Sequence, residues 1–91
     1  MEDLRQYEQC SEMLKALAHP VRLCIVRGLL DHQCNVTTMR ECLELPQSTV
    51  SQHLAKLKAA GIIEGKRTGL EICYQVVNPQ VRRIVEVLFG G

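Results

Sequence analysis

The stretch LPQSTVSQHLAKLKAAGII, residues 45–63, decides the fold because it contains a helix with both a start and a stop signal. Pro46 ends the run before it, and Gly61 stands where a residue with left-handed backbone closes a helix. Apolar residues recur at the spacing that lines one side of a helix, at Val50, Leu54 and Leu57. We therefore predict a helix from about Ser48 to Ala60, with these three side chains in the core.

The opposite side of this helix carries short or polar side chains. Its members are Ser48, Thr49, Gln52, Ala55, Lys56 and Ala59. From Gln47 to Ile63 there is no Asp or Glu, whereas an ordinary solvated helix face usually carries Glu as well as Lys. Glutamine can bond adenine at two atoms, and small residues let a helix sit deep in the major groove. The face therefore predicts DNA binding, and the alternative is a solvated face without a ligand.

Beyond Gly61 the apolar period changes from 3.6 to 2, as in a β-hairpin. The apolar positions are Leu70, Ile72, Tyr74 and Val76, and those between them are Glu71, Cys73 and Gln75. Thr68-Gly69 is the predicted turn, which gives a hairpin over Ile62–Val77. Lys66 and Arg67 stand near its tip, where they either face DNA or only protect the hairpin edge. A DNA-binding helix followed by a basic hairpin is the layout of a winged helix-turn-helix.

The remaining helices are predicted from their end signals. They run from about Glu2 to Ala18, from Pro20 to near Asp31, from Asn35 to about Leu43, and from Pro79 to about Phe89. Pro20 suits a first helical turn, Asn78 caps the last helix, and the third starts at Asn35 or, alternatively, at Thr38. The result is one domain over residues 1–91, mainly α with a β-hairpin wing, in the order α-α-α-α-β-β-α.

The composition indicates a thin core. Hydrophobic residues make up 46% of the 91 residues but aromatic residues only 3%. A chain of this size hides only about 60–65% of the surface that it exposes when unfolded, so an apolar stripe left over favours a dimer. The chain shows no signal peptide and no run long enough to span a membrane, which predicts a cytoplasmic protein without a membrane partner. Net charge is +1, with the basic excess in the second half, where we expect a polyanion to bind.

The residues argue against an enzyme. There is no glycine-rich phosphate loop, no pair of acids and no nucleophile placed with a base and an orienting group. Ser51 and His53, for example, lie on different sides of the predicted helix. A winged helix that binds another protein is the alternative of a different class, and it predicts an apolar or acidic outer face on residues 47–60.

Several segments of the chain resemble a known family. LPQSTVSQHLAKLKAAGII followed by GKRTGLEICYQV resembles the recognition helix and wing of the ArsR/SmtB family of bacterial dimeric repressors. KALAHPVRLCIV resembles the start of that family's second helix, and the similarity runs from about Leu14 to Leu88. GLEI with the later NPQV is similar to PagR-like members, which work without the family's usual metal sites.

The resemblance implies a homodimer joined through the first and last helices, with two recognition helices in successive major grooves of an imperfect inverted repeat. It also implies repression that is relieved by a signal. The positions that approach bases or phosphates in such members are Gln47, Ser48, Ser51 and Gln52, with His53 at the groove edge and the wing residues Lys66 and Arg67 along the backbone. The helix face itself adds Thr49 and Lys56 to this set.

The apolar side of the last helix and the side chain of Arg22 each have two structural interpretations. The apolar side of that helix holds Val81, Ile84, Val85 and Leu88. Those residues form either intrachain core or the dimer seam, and we expect the seam because a terminal helix has few other partners in a small domain. Arg22 is the other case, and we expect it to pack and pair within the fold rather than reach DNA.

The residues do not predict a metal site or a cofactor. The family's Cys-x-Cys ligand positions are Asn35 and Thr37 here, and the last helix PQVRRIVEVLF has no His or Asp and a single Glu. His32 and Cys34 could bind a metal or metalloid only with further ligands, and their spacing forces no such convergence. Metal response stays an alternative to the unresolved effector.

A thiol switch is the other sensing hypothesis. Cys34 lies beside a helix start, which lowers a thiol pKa, and it could bond Cys10 across a dimer. If most of the segment between them is helix, which rises about 1.5 Å per residue, Cys34 and Cys42 would stand roughly 12 Å apart, too far for a bond within one chain. We expect Cys24 and Cys42 to fill core space and Cys73 to lie on the outer face of the hairpin. A redox or reactive-sulfur sensor and a regulator with no small effector both remain open.

Overall fold

A computed structural model describes residues 3–31 and 44–90, and the element order there agrees with the predicted one. The elements are α1 Leu4–Leu17, α2 Pro20–Asp31, α3 Gln47–Ala59, β1 Ile63–Thr68, β2 Glu71–Val76 and α4 Pro79–Phe89. The helix predicted from Asn35 to about Leu43 lies outside the described residues. Within the described ranges, no helix is both long and apolar enough to cross a membrane.

A two-residue joint connects α1 and α2. Ala18 N–H donates to the carbonyls of Leu14 and Lys15 at 3.0 and 3.2 Å, which closes α1. His19 starts α2, because its Nδ1 accepts from Val21 N–H at 3.1 Å and so caps the free end of that helix. Pro20 then occupies the first helical position, as its fixed φ and missing N–H predict.

Helix α3 has the ends that its sequence predicts. Gly61 has a φ of 74°, its N–H donates to Lys58 O at 3.0 Å, and Ile62 N–H donates to Leu57 O at 3.0 Å. This pair of bonds is the Schellman pattern that a left-handed glycine makes at a helix end. At the start, Pro46 O accepts from Thr49 N–H and Val50 N–H at 3.1 Å each.

The wing is an antiparallel hairpin whose register differs from the prediction at the turn. Ile63 pairs with Val76 and Thr68 pairs with Glu71, so the two turn residues are Gly69 and Leu70 rather than Thr68 and Gly69. Gly69 has a φ of 64°, the left-handed value that a tight hairpin turn needs at its first position. Leu70, predicted to point inward with the strand, therefore lies in the turn and is fully exposed.

One apolar core joins the four helices and the hairpin. Its fully buried side chains include Val26, Val50, Leu57, Ile62, Ile63 and Val81. The expectation of a dimer seam is wrong for Val81 and Val85, which are 0% and 3% exposed within their own chain. The reason is that α4 packs against α2 and β2 of the same chain. Leu88 on the same helix is 59% exposed and stays available to a partner.

Three other expectations about burial need correction. Cys24 is exposed rather than in the core, because the buried side of α2 is formed by its neighbours Ile25 and Val26. The apolar spacing of the first helix predicts Leu4, Met13, Leu14 and Leu17 as its inward positions, but Leu4 and Leu14 are exposed and Ala16 is buried. Cys73 is half-buried rather than on an open outer face.

Candidate nucleic-acid interface

The outer face of α3 has the exposure that the sequence predicts. Thr49 is half-buried at its edge, and the remaining predicted members are exposed: Ser48, Gln52, Ala55, Lys56 and Ala59. Of the positions added by the family resemblance, Gln47 and Ser51 are exposed and His53 is half-buried. The opposite side holds Val50, Leu54 and Leu57, none more than 2% exposed, which fixes the rotation of the helix. The packing of the core thus turns a surface without carboxylates toward solvent.

The start of α3 adds open backbone donors to this face. Pro46 occupies the N-cap position and makes no side-chain hydrogen bond to the first turn. The first N–H groups of a helix carry part of the positive end of its dipole, which suits a phosphate oxygen. The free N–H groups of the first turn therefore lie at the end of the acid-free face where Ser48 is exposed.

The wing presents its two basic side chains on opposite sides of the hairpin. Lys66 pairs across the sheet with Cys73, and Arg67 pairs with Ile72, so the two follow the alternation of a strand. Both are exposed. A hairpin that enters a groove edge-on can therefore offer one cation to each flanking backbone.

Gly65 on β1 lets the ring of Tyr74, its partner on β2, lie close to the backbone of the hairpin. A Cβ on Gly65 would come within 2.9 Å of Ile72 Cγ2 and 3.0 Å of Tyr74 Cε1. Tyr74 in turn packs against the core. The absence of a side chain at Gly65 therefore leaves room for Ile72 and Tyr74 on this side of the wing.

A cluster of two histidines and an arginine connects α3 to the start of α2. Arg22 Nη1 lies 3.2 Å from His53 Nδ1, and Arg22 Nε donates to the carbonyl of Ala16. The rings of His19 and His53 have centroids 4.5 Å apart and a tilt of 46°. Burial lowers the pKa of His53 below its ordinary value, and the nearby His19, Arg22 and Lys56 lower it further. These surroundings favour the neutral form of the His53 imidazole.

The sequence indicated part of this cluster. Arg22 packs and pairs within the fold, as expected, but its partner His53 lies 31 residues away in the chain and was not predicted. The spacing HPVR does place His19 and Arg22 on one side of the start of α2, since residues three apart are neighbours on a helix. Only the tertiary packing brings α3 to that side.

The residues singled out for sensing are described only in part. Cys10 is half-buried on α1, whereas His32, Cys34 and Cys42 lie outside the described residues. Among residues 3–31 and 44–90, no three or more His, Cys, Asp or Glu side chains are grouped so that they could hold a metal ion. The thiol hypothesis for Cys10 and Cys34 stays a prediction.

A core-anchored helix with an acid-free outer face, followed by a hairpin with two exposed cations, defines a winged helix-turn-helix DNA-binding protein. A family model described as a helix-turn-helix domain matches residues 17–66. The transcriptional repressor PagR of Bacillus anthracis is 48% identical over 82 residues, which cover 89% of this chain and 82% of that protein. The transcriptional repressor SmtB of Mycobacterium tuberculosis is 42% identical over 78 residues, and the chain spans 58% of its length.

Solved structures agree with these matches. The crystal structure of PagR has a TM-score of 0.86 and 45% identity, covering 94% of this chain and 99% of that one. HlyU of Vibrio cholerae has a TM-score of 0.88 and 33% identity, covering 97% and 94%. A homodimeric winged helix-turn-helix domain of Mycobacterium bovis, from a possible ArsR-family regulator, has a TM-score of 0.86 and 26% identity over 97% of this chain and 83% of that one.

The chain belongs to the ArsR/SmtB family of winged helix-turn-helix transcriptional regulators. It is a DNA-binding regulator, and its relatives PagR and SmtB are transcriptional repressors rather than enzymes.

Proposed function

We propose that the protein is a cytoplasmic, homodimeric repressor that binds an imperfect inverted repeat. Helix α3 of each subunit enters a major groove, and the wing lies along the adjacent backbone. The observation that carries this proposal is the exposed face of α3, which holds polar and small side chains and no carboxylate. Repression is carried over from relatives such as PagR, whose name states that activity.

Exposed apolar side chains on the first and last helices support the dimer. Those that the chain's own core leaves uncovered are Leu4, Tyr7 and Leu14 on α1 and Val87, Leu88 and Phe89 on α4, each between 44% and 83% exposed. Large apolar residues left exposed on a small domain mark an interaction surface. A second copy that covers them would place two α3 helices on one side of the dimer, as an inverted repeat requires.

The site residues divide into two roles. Gln52 has the chemistry to read a base, because its amide can both donate to and accept from adenine. The other members would bond phosphates or bases nearby: Gln47, Ser48, Thr49, Ser51, His53, Lys56, Lys66 and Arg67. Phosphate contacts position a protein on DNA, and base contacts supply sequence preference.

A mobility-shift titration with matched variants tests this assignment. Gln52→Ala should weaken binding by about 10-fold or more and relax preference at one base position per half-site. Lys56→Ala should weaken binding to all sequences and lower the salt slope by about one unit. Lys58→Ala is the control, because Lys58 is also an exposed lysine but lies two residues away, off the outer face.

The same assay separates the alternatives. If the protein shows no salt-dependent binding to DNA and α3 instead binds another protein, the chain would be a protein-interaction winged helix. Repeating the titration with reduced and oxidised protein, and with Cys34→Ser, tests the thiol-switch hypothesis for Cys34 and Cys10. Unchanged affinity after oxidation would argue against that switch without affecting the DNA-binding proposal.

A further inference from the structure

We propose that Arg22 is a positioning residue for DNA binding: by donating to Nδ1 of His53, it keeps the ring proton on Nε2, which then serves as a donor to the DNA backbone. This inference rests on the proposed function, since it concerns how one residue of α3 meets its ligand. It assigns the role to a residue of α2 that lies outside the recognition helix and the wing.

The direction of the Arg22–His53 hydrogen bond follows from chemistry. A guanidinium has only donors, so the contact of 3.2 Å between Nη1 and Nδ1 requires Nδ1 to be the acceptor. An imidazole that accepts at Nδ1 carries its single proton on Nε2. Nε2–H is then the ring donor left for a ligand, and a neutral N–H donor suits a phosphate oxygen.

Arg22 is itself held firmly. Its Nε donates to the carbonyl of Ala16, one of the last four carbonyls of α1, which have no partner inside the helix. Its cation also lies at the negative end of the α1 dipole. Rooted on α2 and bonded to α1 and α3, the guanidinium fixes the position of His53 relative to two other helices.

His19 restricts the second side of the ring. Its Nδ1 accepts from Val21 N–H at 3.1 Å, so the helix cap fixes its orientation. The two rings then pack at 4.5 Å between centroids. The hydrogen bond from Arg22 and the ring contact with His19 together hold the His53 side chain in one orientation before DNA arrives.

The charges around His53 disfavour its protonation. Arg22 of α2 and Lys56 of α3 are cations, His19 is a second imidazole, and all three add to burial in lowering the pKa of His53. Glu12 and Lys15 of α1 line the same groove as Arg22 and Lys56, and they pair with each other at 3.5 Å. Protonation at Nδ1 would also break the bond from Arg22.

The placement on α3 puts His53 beside the DNA-binding face. Residues 49, 52, 53 and 56 follow the i, i+3, i+4, i+7 spacing of one helix side. Gln52 and Lys56 are exposed, and His53 is half-buried at their edge. A donor at an edge of a recognition helix meets the sugar-phosphate backbone rather than the bases, so it should raise affinity for all sequences.

The first test is spectroscopic and uses the wild-type chain. Long-range proton–nitrogen correlation of histidine-labelled protein at neutral pH should show His53 with Nε2 protonated and Nδ1 unprotonated. In Arg22→Met, which keeps the apolar stem but removes the donors, the proton should distribute over both nitrogens. A wild-type ring protonated on Nδ1, or on both nitrogens, would overturn the proposal.

The second test is a double-mutant cycle on DNA affinity. Arg22→Met should weaken binding about 10-fold, the loss of one hydrogen bond to a charged group, with unchanged sequence preference. His53→Asn keeps an acceptor near the Nδ1 position but loses the outward donor, and should weaken binding similarly. In the His53→Asn background Arg22→Met should add little, because Arg22 acts through His53. A full additional loss there would overturn the proposal.

Further results distinguish a failure of this inference from a failure of the proposed function. If Arg22→Met fails to fold, His53→Gln is tested in its place, because the glutamine amide nitrogen reaches the position of Nε2. His53→Gln should then retain more DNA affinity than His53→Asn. Equal losses of affinity in these two variants would contradict the proposal. Wild-type binding with a large Gln52→Ala effect supports the proposed function whatever the tautomer. Absence of any wild-type DNA binding would instead contradict the proposed function itself.

Discussion

His53 shows how tertiary contacts decide the chemistry of one residue. From the sequence it is one of several polar residues on a helix, and its position at the edge of the outer face could be predicted from the 3.6-residue period. Its protonation state could not, because that depends on Arg22 and His19, which arrive from a different helix. The sequence alone does not show that two residues 31 positions apart are in contact.

The lowered pKa of His53 should make the stability of the free protein depend on pH. Near the ordinary histidine pKa of 6.5 the unfolded chain takes up a proton, whereas the folded chain does so only at lower pH. The unfolded state then binds more protons, so the free energy of unfolding rises with pH in this window. The contribution is complete above pH 6.5 and is lost as the pH falls through the folded pKa.

Urea unfolding of the wild type and of His53→Asn at a series of pH values measures this effect. The wild type should lose stability on acidification more steeply than the variant, because the variant lacks the titrating ring and retains His19. Parallel curves for the two proteins would show that His53 does not titrate differently on folding.

At the scale of elements, the prediction succeeds where each end of an element has its own signal. Helix α3 and helix α4 follow from Gly61 and from Asn78, whose side chain accepts from Gln80 N–H and Val81 N–H at 2.9 and 3.3 Å. The hairpin was predicted, but its turn was placed one residue early. Alternation alone fits both Thr68-Gly69 and Gly69-Leu70, and only the observed pairing fixes the register.

Two glycine substitutions should have opposite effects on stability. Gly65→Ala should destabilise the fold by about 1–3 kcal/mol, because its Cβ would overlap Ile72 and Tyr74 in the hairpin. Gly28→Ala in α2 has nothing within 4 Å of its Cβ and should stabilise by about 0.5–1 kcal/mol, as alanine does in a helix. Chemical denaturation of both variants measures this, and destabilisation by Gly28→Ala or none by Gly65→Ala would contradict the packing described.

At the scale of the whole molecule, the limit of prediction is the division of apolar surface between core and partner. Val81 and Val85 form part of the chain's own core, whereas Leu88 on the same helix is left exposed. A periodic stripe marks which side of a helix is apolar, but it does not say how much of that side the chain covers itself. The exposed remainder on α1 and α4 is what the proposed dimer would cover.

A single substitution on this surface should separate the subunits. Leu88→Glu should give a monomer, because it places a charge in the proposed seam at a position that the monomer itself leaves 59% exposed. Leu70→Glu in the wing turn is the control, since Leu70 is fully exposed and belongs to neither of the two helices of the proposed seam. Sedimentation should show a dimer for the wild type and for Leu70→Glu, and a folded monomer for Leu88→Glu. A dimeric Leu88→Glu protein would exclude this seam.

Selection of bound duplexes from a random DNA pool tests the central proposal most directly. We predict enrichment of an imperfect inverted repeat whose half-sites are centred about one helical turn apart, as two α3 helices of a symmetric dimer require. Gln52→Ala should select the same repeat with preference lost at one position in each half-site. A pool without an enriched motif, or an identical profile for Gln52→Ala, would contradict sequence reading by α3.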